Sequence, residues 1–264
     1  MRRTRSSRPD APDIALCAGL KSSGSTWLYN AVIQMLGAAG GASSSARAKS
    51  GVLAFYAENI GSFPPGAELA RHLVIKTHIP SPSLQFLARF ARAATFVTVR
   101  EPRDAIASLM QRFDHKFTNC LKEVSAGATR MVELKKSGGA LILRYEDEFF
   151  DQPETLREVA AHLGIRVPAT KLDKIFRSLT REEVRKKIDR LERRGTFGRS
   201  PDPDSFDPKT HWHPGHVGDA AVGKYAAILS SKEQQATLTE LADYCAAFGY
   251  PGPHRKAIRR RRSA

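Results

Sequence analysis

A short apolar run at residues 14–18 leads into Gly19-Leu20-Lys21-Ser22-Ser23-Gly24-Ser25-Thr26-Trp27, and a helix-like stretch over residues 26–36 follows at once. A strand, a glycine loop and a helix in that order turn the unpaired N–H groups and positive end of the helix towards the loop, a geometry suited to phosphate. The spacing Gly19-x-x-x-x-Gly24 nearly reproduces a nucleotide triphosphatase phosphate loop. One position departs from it. The lysine that should follow Gly24 is Ser25, and the lysine present is Lys21, inside the loop. Phosphate geometry survives while metal and γ-phosphate chemistry is weakened. Taken alone, these residues also read as a plain glycine turn with an incidental lysine.

Three further apolar runs, at residues 72–76, 95–100 and 140–145, each end in a polar or charged cluster. Helical stretches lie between them, over 81–93 behind two prolines and over 103–113 behind Pro102, a residue tolerated in a first turn. This alternation predicts an α/β fold, a three-layer sandwich with a central parallel sheet and a topology like that of P-loop nucleotide triphosphatases. In such sheets ligands gather at the carboxyl ends of the strands, so the polar clusters should converge. Beyond residue 145 the chain reads as helical, most clearly over 153–163, 180–194 and 230–248. Thr180-Arg-Glu-Glu183 and Ser230-Ser-Lys-Glu233 have the pattern of capping boxes. Residues 37–50 and 195–218 read as irregular, either as functional lids or substrate loops or as local disorder.

The 264 residues suffice for one domain, expected over 13–253 between a basic tail at 1–12 and an Arg-rich tail at 254–264. Forty-two basic against 27 acidic residues give a formal charge of +15, which favours polyanionic partners: nucleic acid, anionic lipid or a charged nucleotide. Terminal basic runs are ordinarily solvated, and here they are expected at most to touch anionic surfaces. No apolar run nears the roughly 20 residues of a membrane span, and no signal-peptide pattern is visible. Cys17, Cys120 and Cys245 are odd in number and widely spaced, arguing against a disulfide framework or a metal site. A cytoplasmic protein without a bound metal is expected.

At the end of the second strand, Lys76 and His78 are two residues apart and so share a face. A histidine there either caps the strand or takes a proton from a hydroxyl; Lys76 and Lys21 can meet negative charge. Arg100 closes another strand with Ser108 about two helical turns on, and together they can flank a phosphate, unless Arg100 merely pairs with Glu101 or Asp104. Trp27 and Tyr145 are large aromatics that can simply fill the core.

The segment Lys21-Ser22-Ser23-Gly24-Ser25-Thr26-Trp27 resembles the Pro-Lys-Ser-Gly-Thr-Thr-Trp loop of sulfotransferases that use 3′-phosphoadenosine 5′-phosphosulfate (PAPS). Four more matches follow in the family's order. Lys76-Thr77-His78-Ile79-Pro80 is similar to its Lys-Thr-His-x-Pro segment, and Arg100-Glu101-Pro102-Arg103-Asp104 with Ser108 to its Arg-Asn-Pro-x-Asp…Ser segment. Tyr145-Glu146-Asp147 resembles its Tyr-Glu-Asp, and Gly215-His216-Val217-Gly218-Asp219 its last Gly-x-x-Gly-Asp loop.

The resemblance implies sulfuryl transfer to an acceptor hydroxyl of a small molecule, glycan or natural product, in line, with adenosine 3′,5′-bisphosphate (PAP) as product and no metal. His78 is then the base, and Lys76 and Lys21 stabilise charge. Lys21, Ser22, Ser23, Gly24, Ser25 and Thr26 cradle the donor, Trp27 and Tyr145 meet its adenine, and Arg100 and Ser108 its 3′-phosphate. His213 and Gly215 stand where the family has Arg and Gly of an Arg-Lys-Gly sequence; Pro214 replaces the lysine and Ala220 the usual tryptophan. A P-loop kinase or nucleotide hydrolase, and a basic nucleic-acid-binding protein, are the alternatives. The acceptor and the oligomeric state are not written in the sequence.

Overall fold

The computed structural model describes residues 14–39, 72–197 and 205–253, together with the backbone of 43–47. Both basic tails lie outside the described residues, as do the other parts of 37–50 and residues 198–204 within the stretch 195–218. In chain order the elements are β1 (Ile14–Gly19), α1 (Ser25–Ala38), β2 (Ser43–Arg47), β3 (His72–Thr77), α2 (Pro82–Phe90), β4 (Ala94–Val99), α3 (Pro102–Phe113), α4 (Phe117–Ser137) and β5 (Leu141–Arg144). Two short 3₁₀ turns follow, then α5 (Glu154–His162), α6 (Ala169–Ser178), α7 (Arg181–Arg193), α8 (Tyr225–Ile228), α9 (Ser231–Glu240) and α10 (Ala242–Phe248).

The strands form one sheet in the order β2-β3-β1-β4-β5, and every neighbouring pair is parallel. Alternation along β1 explains the layers: Ala15 and Cys17 enter one core with α1, while Leu16 and Ala18 enter the other with α3 and α4. The expected three-layer α/β sandwich results. Chain order reverses direction on the two sides of β1, so the carboxyl ends of β1, β3 and β4 open a crevice at the switch point.

Several local expectations change. Residues 43–47, read as irregular, add edge strand β2, whose Ser43–Arg47 pair with His72–Lys76. A Ser-Ser-Ser-Ala-Arg run has no β-branched signature, and backbone pairing with β3 decides its conformation. Helix α4 was not legible because its buried stripe of Cys120, Val124, Gly127, Ala128 and Met131 is diluted by small residues. The helix expected over 230–248 is two helices, broken at Leu241, whose φ of −107° and ψ of 25° leave the helical well. Helix α6 also went unread. The Ser230–Glu233 capping box is present, but Glu183 turns its carboxylate to Lys186, 2.9 Å away, so only the Thr180 half of the other forms. Among the described residues no helix is long and apolar enough to cross a membrane.

Candidate active site

The loop after β1 is shaped by one side chain and one missing side chain. Ser23 is fully buried, and its Oγ lies 2.6 Å from the Leu20 carbonyl, 3.1 Å from the Thr98 carbonyl and 2.6 Å from Thr98 Oγ1. It ties the loop to β4 and does not line the cavity, whereas Lys21, Ser22, Gly24, Ser25, Thr26 and Trp27 do. Ser23→Ala should lower stability by about 1–3 kcal/mol in chemical denaturation, the penalty of leaving buried partners unpaired. A Cβ at Gly19 would stand 2.1 Å from Thr98 Oγ1 and 2.7 Å from Ser25 Cβ, so the strand can turn into the loop here only without a side chain. Gly24, at φ 83°, starts α1 without any side-chain cap. The first N–H groups of the helix therefore face the cavity with no capping oxygen in the way.

At the end of β3, His78 is clamped between two partners. Its Nδ1 lies 2.7 Å from the Gly19 carbonyl and its Nε2 3.2 Å from Lys76 Nζ. A carbonyl only accepts, so Nδ1 carries the hydrogen, and Nε2 presents its lone pair to the ammonium of Lys76. The ring is thus fixed in the tautomer of a base, with its basic nitrogen beside a cation. Helix α4 comes close behind it: a Cβ on Gly127 would meet the His78 carbonyl at 3.1 Å. Lys21 reaches the same helix, its Nζ 2.6 Å from Glu123 Oε2 with both side chains about one-third exposed. Nothing in the sequence singled out Glu123.

Arg100 leaves the end of β4 almost fully buried. Its Nη1 donates to the Ser22 carbonyl at 3.0 Å, its Nη2 to the Ala221 carbonyl at 2.8 Å, and its guanidinium lies 4.0 Å from the centre of the Tyr145 ring. Burial pushes the Tyr145 hydroxyl pKa up, with Arg100 opposing. The salt bridges weighed for Arg100 go elsewhere: Glu101 takes Arg103 at 2.7 Å, and Asp104 accepts the backbone N–H of Gly223 at 2.6 Å and of Tyr225 at 2.9 Å. Ser108, on α3, faces the cavity.

The opposite wall is the loop ahead of α8, gripped through its main chain. Arg112 donates to the carbonyl of His216 (3.4 Å), Arg185 to that of Gly218 (3.1 Å), Arg181 to that of Asp219 (3.4 Å) and Arg100 to that of Ala221. His213 lines the cavity, its Nδ1 2.8 Å from the Pro214 carbonyl, while Gly215 is exposed at φ 66° and stands outside the lining.

The structure thus brings Lys21, Lys76, His78, Arg100, Ser108, Trp27, Tyr145 and His213 around one cavity, with Ser23 and Gly215 off its surface. It adds Arg112, Arg181 and Lys224, so six lysine or arginine side chains face two carboxylates, Asp151 and Asp219. Such a balance calls for an anionic ligand. Burial, then Arg100, lowers the pKa of Arg112; burial also lowers that of Lys224, against Asp219. Buried Ser22 Oγ, Trp27 Nε1 and Arg100 Nε have no hydrogen-bond partner among the described residues. Donors left over at the loop, at its aromatic flank and at Arg100 fit a nucleotide carrying phosphates at both ends. Arg112 could have been found from sequence as the residue one turn beyond Ser108; Arg181 and Lys224 carried no such signal.

A family model described as the sulfotransferase domain matches residues 12–189. Among solved structures, mouse sulfotransferase SULT7A1 complexed with PAP is similar over 91% of this chain and 88% of its own, at 15% identity and a TM-score of 0.61. Retinol dehydratase in complex with androsterone and the inactive cofactor PAP is similar over 90% and 82%, at 13% identity and a TM-score of 0.54. The complex of retinol dehydratase with retinol and PAP gives 12% identity and a TM-score of 0.55 over the same shares. No curated protein sequence matches the chain.

Proposed function

The chain belongs to the sulfotransferase family and is a PAPS-dependent sulfuryl-transfer enzyme, and on that premise we propose that His78 is its general base, with Lys76, Lys21 and Arg100 as its principal anion-binding groups. The observation that carries this reading is the clamp on His78, with Nδ1 held by the Gly19 carbonyl and Nε2 beside Lys76. When bound, the donor supplies an electrophilic sulfur and a phosphate leaving group. The acceptor hydroxyl loses its proton to His78 Nε2 as its oxygen forms the new bond to sulfur, and the old bridging S–O bond breaks in line, its electron pair leaving on the phosphate of PAP. Lys76 stands 3.2 Å from that nitrogen, placed to meet charge on the transferring and bridging oxygens. Lys21 reaches the same region by exchanging Glu123 for the anion.

The loop from Lys21 to Thr26 cradles the phosphosulfate, with Ser23 acting through its hold on β4. Trp27 and Tyr145 flank the adenine, and Arg100 and Ser108 take the 3′-phosphate. His213 is the donor available in the last loop, where Gly215 turns outward. A cytoplasmic setting accords with three buried free thiols, Cys17, Cys120 and Cys245.

Titration calorimetry with PAP, ATP and a short oligonucleotide tests the donor assignment. PAP should bind tightest to the wild type. Arg100→Ala should weaken PAP by about 10- to 100-fold, the worth of a charge-assisted contact, and leave adenosine 5′-monophosphate nearly unchanged. A preference for ATP, or equal PAP binding by the variant, would overturn it.

A further inference from the structure

We propose that Tyr244 is a positioning residue for the donor, holding Arg100 where it meets the 3′-phosphate. The proposal rests on the donor assignment above and extends it towards the end of the chain, outside the matched residues 12–189. Strand β4 ends at Val99, so the main chain of Arg100 has left the sheet. Tyr244, on α10, meets it there. Its hydroxyl accepts from the Arg100 N–H at 3.2 Å and donates to the Arg100 carbonyl at 3.0 Å. A single hydroxyl thus fixes the peptide groups on both sides of the Arg100 Cα, and with them the direction in which the guanidinium leaves.

The peptide after Arg100 is also held from its other side. Its N–H, on Glu101, donates to Glu146 Oε1 at 2.7 Å, and the Tyr250 hydroxyl donates to Glu146 Oε2 at 2.9 Å. The rings of Tyr244 and Tyr250 stack, with centroids 5.8 Å apart and planes 12° from parallel. On the near side of Tyr145, Arg144 Nη1 donates to the Phe248 carbonyl at 2.7 Å. Arg100 and Tyr145, which touch each other through guanidinium and ring, are therefore both seated on main chain gripped by residues 244–250. Burial holds the Tyr244 hydroxyl well above its usual pKa, so it keeps the proton it donates. A phenylalanine there would leave two buried main-chain groups of Arg100 without this partner, and the residue free to shift.

The test is titration calorimetry of the full-length protein with PAP and adenosine 5′-monophosphate, whose affinity ratio reads the 3′-phosphate contact. Tyr244→Phe removes the hydroxyl and keeps the ring. It should weaken PAP by about three- to tenfold, the scale of coupling within one hydrogen-bonded network, and leave adenosine 5′-monophosphate within about twofold. In an Arg100→Ala background the same substitution should no longer change PAP affinity, because the side chain it positions is gone. An unchanged ratio in Tyr244→Phe, with both ligands kept or both lost alike, would overturn the proposal, and so would a full effect that persists without Arg100. If Tyr244→Phe does not fold, Tyr250→Phe carries the test: about a two- to fivefold loss confined to PAP is expected, and an unchanged ratio overturns it. A wild type that binds both ligands equally, or an Arg100→Ala that loses nothing, would instead bring down the donor assignment, and this inference with it.

Discussion

His78→Ala is expected to slow sulfuryl transfer by about 10²- to 10⁴-fold, the usual contribution of a positioned base, while PAP binds within about twofold of wild type. The separation follows from geometry. Nδ1 donates to the Gly19 carbonyl and Nε2 faces Lys76, so losing the ring removes the proposed proton acceptor, while Ser23 still ties the loop from Lys21 to Thr26 to β4. Single-turnover kinetics with labelled donor, beside calorimetry, reads the two effects apart. His78→Gln sharpens the result: its amide can still donate to the Gly19 carbonyl but has no basic nitrogen, so transfer should remain as low as in the alanine variant. Full transfer by either variant would remove the histidine from the chemistry.

The second large effect is on the fold. Gly19→Ala should destabilise the protein by about 1–3 kcal/mol or more, as overpacking of a close-packed interior does, and should also abolish PAP binding. The new methyl would meet Thr98 Oγ1 at 2.1 Å and Ser25 Cβ at 2.7 Å, and neither neighbour can yield easily. Thr98 is fully buried and bonded to Ser23, and Ser25 is fixed in the first turn of α1. Relief would require β1 and β4 to part or the helix to slide, and either opens the loop. Thermal unfolding and PAP titration measure both consequences. Thr98→Ala in the same chain should restore part of the stability by removing the nearest atom; no recovery would show that the strain lies elsewhere.

How far this was legible in the sequence follows from the range of the forces involved. Gly19, Gly24 and Lys21 lie within one turn of chain, and their chemistry is local: a backbone that must bend, a helix that must start, a lysine out of the triphosphatase position. The shared side of Lys76 and His78 comes from strand alternation alone. Ser23 reads differently, because a serine in a glycine loop looks like a phosphate ligand until β4 is known to lie behind it. Glu123 was invisible for the same reason, and Arg112 was legible only as the residue one turn beyond Ser108. Glu123 matters only because folding brings it to Lys21 across 102 positions of sequence, and Arg112 only because the loop at His216 folds over it. Strand β2 had no pattern of its own, being made by pairing with β3.

The loop ahead of α8 is secured by guanidinium groups on the carbonyls of residues 216, 218, 219 and 221. Every residue has such an oxygen, whichever side chain it bears. Mutation can therefore change the side chain at position 216 without removing the contact that holds its main chain in place.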